Sequence, residues 1–104
     1  MAQTLDGSAF PQIVRFTLGG TDVATKVNIP HAATTATVKF ETNDGKLAMT
    51  GTDGGAVAAA YIICAGDTTN EFSLMDGIRS SQGVTAFYVA SATGSTVCSV
   101  MIEG

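Results

Sequence analysis

Apolar and polar residues alternate with a period of two through most of this chain. In IVRFTL, Val14, Phe16 and Leu18 fall on one side, and Ile13, Arg15 and Thr17 on the other. A strand with one buried face requires this alternation, because successive side chains point to opposite faces. Gly19-Gly20 ends the run. The pattern resumes with Val23, Thr25, Val27 and Ile29 against Ala24, Lys26 and Asn28. Pro30 stops it, having no amide to donate to a ladder. Next, Ala36, Val38, Phe40 and Thr42 oppose Thr37, Lys39 and Glu41, and the run enters Asn43-Asp44-Gly45. An Asp-Gly step predicts a hairpin, since glycine takes positive φ without steric cost. Leu47 and Met49 then return inward.

Gly51–Gly55 reads as a loop, and Val57–Cys64 as a strand partly buried on both faces. Phe72 and Leu74 alternate with Glu71 and Ser73. Asp76–Gly83 is a longer loop, and residues 84–90 and 96–102 are expected to form a terminal hairpin around Ser91–Ser95. About eight short antiparallel strands, spaced roughly 8–12 residues apart, predict an all-β, single-domain β-sandwich of jelly-roll type. The expected core is Val14, Phe16, Val27, Ile29, Val38, Phe40, Leu47, Ile62, Phe72, Leu74, Phe87, Val89, Val97 and Val100. Residues 1–11 break the pattern: they are small and polar around isolated Leu5 and Phe10. They are expected to form an N-terminal arm to a domain spanning 12–104. Ordering such an arm costs about 1–2 kcal/mol per residue of backbone entropy, so Leu5 and Phe10 would have to anchor it on a neighbour. The last strand, dense in β-formers, should be paired in a sheet, its own or a neighbour's.

Composition narrows the function. Of 104 residues, 45% are hydrophobic and 13% charged, with a net charge of −4. The five basic residues are scattered, which argues against nucleic acid, whose phosphates need clustered Lys and Arg. No run approaches the roughly 18 apolar residues of a membrane helix. MAQTLDGSAFP lacks the basic and apolar regions of a signal peptide, so synthesis in a cytoplasm is expected. Cys64 and Cys98 form no CxxC and sit in apolar runs, as small buried hydrophobes do. A lone His31 after Pro30 suits a turn better than a nucleophile's base. No catalytic residue, cofactor or metal site is expected: zinc needs several close ligands, and the Asp-Gly pairs belong to turns rather than to a calcium loop. GTDGG lacks the Lys-Ser/Thr of a phosphate-binding loop. Tyr61 and Tyr88 would be the stacking platforms of a carbohydrate-binding module, but both lie in hydrophobic runs.

Three stretches, VNIPHAATTATVKF, IICAGDTTNEFSLMDG and TAFYVASATGSTVCSVMIEG, resemble small accessory structural proteins of tailed bacteriophages, of the head decoration or cement type. Ile63, Ala65, Gly66, Glu71, Phe72 and Leu74 carry the first turn-and-strand element. Tyr88, Val89, Ala90, Ser91, Thr93, Gly94, Val97 and Val100 carry the second. The likeness covers roughly residues 23–104, and its motifs encode turns rather than chemistry. It implies a non-enzymatic virion protein on the capsid surface, binding the major capsid protein and other copies of itself as a trimer or dimer. A neck or tail adaptor, a head-fibre component and an adhesive carbohydrate-binding module are the alternatives. Low surface charge suits such contacts, because little charge must be desolvated. The expected partner-contacting residues are Leu5, Phe10, Thr52, Asp53, Ile78 and Arg79.

Overall fold

A computed structural model describes residues 2–30, 32–74 and 86–104. The alternating runs become strands β1 (Gln3–Thr4), β2 (Gln12–Thr17), β3 (Thr25–Asn28), β4 (Thr35–Phe40), β5 (Gly45–Ala48), β6 (Tyr61–Cys64), β7 (Thr69–Ser73), β8 (Ala86–Ala90) and β9 (Val97–Glu103). No helix occurs among the described residues. The strands make two sheets, ordered β1-β3-β8-β5-β6 and β2-β9-β4-β7. The all-β sandwich expected from the alternation is therefore present. All pairings are antiparallel except β1 with β3, where Gln3 and Thr4 lie beside Val27 and Asn28 in parallel.

The connections differ from the expected ones. β4 and β5 flank Asn43-Asp44-Gly45 but belong to opposite sheets, and so do β8 and β9. Neither turn closes a hairpin; each carries the chain across the sandwich. Positive φ falls not on Gly45 but on Thr42, at 70°, and on Ser95, at 62°. The two crossings are bound together by polar groups. The Ser91 hydroxyl donates to the Asp44 carbonyl at 2.8 Å, and the Thr96 hydroxyl to the Thr93 carbonyl at 2.8 Å. The Asn43 amide donates to Thr96 Oγ1 at 3.3 Å. Ser91 and Thr96 are buried, and these bonds satisfy groups that would otherwise be costly to enclose.

The core lies between the inner faces. The five-stranded sheet supplies Val27, Phe87, Val89, Leu47 and Cys64; the four-stranded sheet supplies Ala36, Val38, Phe40, Cys98, Val100 and Ile102. Val14, Phe16 and Phe72 close its margins. Two expected core residues lie elsewhere. Val97 is only half-buried, because β9 turns Cys98, Val100 and Ile102 inward, the opposite parity. Ile62 is 61% exposed. β9 lies between β2 and β4, so the C-terminal run is a central strand of its own sheet.

Of the expected arm, residues 2–11 are described, and they are tied to the domain. Besides the β1–β3 pairing, the Leu5 amide donates to the Asn28 carbonyl at 2.9 Å, and the Leu5 side chain is 2% exposed within the core. A single well-placed leucine and two ladder residues tie the segment to the domain.

Candidate interaction surface

Strand β6 ends the five-stranded sheet. It pairs with β5 through Leu47↔Ile62, Lys46↔Ile63 and Ala48↔Tyr61. Directly opposite residues share a face, so Ile62 points with Leu47 toward the sandwich interior, and Ile63 and Tyr61 point outward with Lys46. With no strand beyond it among the described residues, β6 leaves Tyr61 38%, Ile62 61% and Ile63 66% exposed. Chain edges normally carry charges, prolines or very short strands that deter pairing. The other three edges here follow that rule. β1 has two residues, β7 carries Glu71, and β2 carries Arg15, held by Glu41 through bonds of 2.9 and 3.2 Å. The sequence of β6, YIIC, holds no charge at all.

Beside this edge, on its inward side, opens a groove of about 530 Å³. Leu47, Met49, Ile62 and Phe72 form its apolar wall, with Ala60, Tyr61 and Thr50 at the rim. Phe72 is fixed there by an edge-to-face contact with Phe87, 5.5 Å between centroids. Among the described residues lining it, Thr50 and Tyr61 bring the only hydroxyls, and these give the groove contact area but no convergent polar groups for catalysis. On the outer side Lys46 Nζ lies 2.8 Å from Asp22 Oδ1 and 4.7 Å from the Tyr61 ring centroid. The hydrogen bond that Lys46 donates to Asp22 raises the Lys46 pKa, and the ion pair holds that charge within the chain.

The remaining candidate chemistry does not assemble. Cys64 and Cys98 are both buried, 1% and 0% exposed, and both are free thiols. Burial pushes the Cys98 thiol up to about 12 and raises Cys64 as well, so both stay protonated and inaccessible, unlike a reactive thiolate. His31 lies outside the described residues. No group of three potential metal ligands occurs among the described residues.

Of the six residues expected to contact partners, four lie among the described residues, and they do not form one surface. Leu5 is in the chain's own core and unavailable to a neighbour. Phe10 is 40% exposed, with its ring against Gly104. Thr52 and Asp53 sit in an exposed loop that folds back to the start of β3. Asp53 Oδ1 accepts from the Lys26 amide at 3.0 Å, and the Gly54 amide donates to the Ala24 carbonyl at 2.8 Å. Asp53 thus shapes its own loop. Ile78 and Arg79 lie outside the described residues. The β6 edge was missed because an uncharged Tyr-Ile-Ile run looks the same in a core strand as at an edge. The missing charge on an otherwise alternating chain was the available signal. Comparison of the chain with protein-family models, curated proteins and solved structures finds no match.

Proposed function

We propose that this chain is a non-enzymatic structural subunit of a virion, binding the outer face of a tailed-phage head and stabilising it through subunit contacts. The observation that supports this most is the uncharged, apolar β6 edge with its groove. Large exposed apolar patches on a small domain mark contact surfaces. Burying this one desolvates no charge, so its apolar area favours association directly. Contacts of this size are individually modest, and repetition over a particle multiplies them through avidity. Its partners on this reading are the major capsid protein and further copies of itself.

The experiment is quantitative mass spectrometry of purified virions from the strain that carries the gene, counting this chain against the major capsid protein. Decoration predicts copies on the order of hundreds per particle, following the symmetry of the shell. About a dozen copies would move the chain to a neck or tail ring. Its absence from particles would overturn the reading.

A further inference from the structure

We infer that the β6 edge is where two copies of this chain join, antiparallel about a two-fold axis through Ile62, so that two five-stranded sheets continue as one of ten strands. This rests on the reading of β6 as the contact surface and names its occupant.

The side-chain order of β6 carries the argument. A two-fold axis perpendicular to a sheet pairs edges antiparallel and keeps inner faces on one side, so residues of equal parity must meet. With the axis at Ile62, that residue meets Ile62 of the second copy on the inner face. On the outer face Tyr61 meets Ile63 of the second copy, and Ile63 meets its Tyr61. Aromatic with β-branched is among the favourable cross-strand pairs. All six large exposed side chains thereby gain a matched partner. Centring the axis on Ile63 would leave each Tyr61 opposite an alanine, Ala65.

Charge and area agree with this occupant. Each copy carries −4 overall and would repel another over most of its surface, yet β6 has no charge, and Lys46, beside it on β5, is paired with its own Asp22. A large side chain has roughly 200 Å² of surface. The exposures of Tyr61 (38%), Ile62 (61%), Ile63 (66%) and Met49 (49%) therefore leave on the order of 400 Å² per copy for burial. Two copies then bury on the order of 800 Å² of side chain plus their main-chain edges, the size of a weak, reversible interface. The Tyr-Ile-Ile order is self-complementary, which a surface built for an unrelated strand need not be.

Sedimentation velocity over a concentration series tests the pairing, and thiol trapping tests its register. The wild-type chain should pass from monomer to dimer with concentration. Ile62→Lys places like charges face to face on the axis and should raise the dissociation constant at least about tenfold. The position is exposed, so at concentrations where both chains are monomeric its melting temperature should stay within about 2 °C of wild type. Ile62→Cys should cross-link to itself under mild oxidation, since directly opposed Cα atoms lie about 4.5–5.5 Å apart, within disulfide range. Ile63→Cys should not, because its two copies are offset by two residues, beyond about 7 Å. The native thiols are buried and do not compete. A monomer at every concentration, a trimer, or cross-linking at Ile63→Cys but not at Ile62→Cys would overturn the inference. If the monomeric chain is nonetheless present on virions, the virion reading stands and this one falls. A dimer of the stated register absent from virions gives the converse.

Discussion

Adding a single methyl group at Gly45 probes how tightly the two sheets are held together. Gly45 opens β5 opposite Cys64, facing the core. A Cβ built there would overlap Cγ, Cδ2 and Cε2 of Phe40, a ring that is 0% exposed in the opposite sheet. Non-bonded carbon atoms rest about 3.5–4.0 Å apart, so the ring would have to retreat by more than about 1 Å. Interiors are packed like crystals and have no room for that movement without shifting their neighbours. Overpacking of this kind costs about 1–3 kcal/mol, and the enclosed ring puts Gly45→Ala at the upper end. Against this, alanine restricts the unfolded chain and returns about 0.4–1 kcal/mol. The net loss should be about 2 kcal/mol, or on the order of 8–16 °C in Tm for a domain of this size. Urea melts of Gly45→Ala, Phe40→Leu and the double variant form a cycle. The smaller leucine leaves space that the new methyl fills, so the double variant should be more stable than the sum of the singles by at least about 1 kcal/mol. A Gly45→Ala variant within about 0.5 kcal/mol of wild type, or an additive cycle, would refute the packing argument.

Leu5 is 2% exposed in the core, so Leu5→Ala should cost about 2–5 kcal/mol in urea denaturation, and deletion of residues 1–10 should lower Tm at least as much; a truncated chain as stable as wild type would show that the segment is dispensable. Cys98 gives an alkaline signature. Its folded thiol titrates at about 12, above the ordinary value of 9.0, because of burial first and the neighbouring Cys64 second. The stability of the neutral buried thiol is therefore fully present below about pH 9 and lost as pH rises toward about 12, by up to about 1.4 kcal/mol per pH unit. The stability advantage of wild type over Cys98→Ala should shrink between pH 8 and pH 11, about the range in which an unfolded thiol ionises first; parallel curves would contradict it.

The alternation of Val27, Val38, Phe40, Leu47, Phe87, Val89 and Val100 with polar neighbours was enough to read an all-β sandwich and most of its core. What it could not give was sheet membership. Period two reports that a strand has an inside and an outside, and an Asp-Gly step reports that the chain turns. Neither says whether the next strand lies beside the last one or across the core from it, and at residues 41–44 and 91–96 the chain crosses. The same gap hid the exposed apolar edge. Ile62 has the parity of a core residue and does face inward, but β6 is the last strand of its sheet and the side chain stays 61% exposed. Leu5 shows the reverse error: isolated in sequence, it is buried because a parallel pairing with a distant strand brings it there. Both residues depend on long-range neighbours that local pattern does not contain.

The most direct test compares virions made with the wild-type gene and with an Ile62→Lys, Ile63→Lys double variant. Both chains should be equally stable, because these positions are exposed. Mass spectrometry of the purified particles should find the wild-type chain at a fixed ratio to the major capsid protein and the variant depleted at least about tenfold. A wild-type chain missing from particles, or a variant incorporated as well as wild type, would contradict a structural role exercised through the β6 edge.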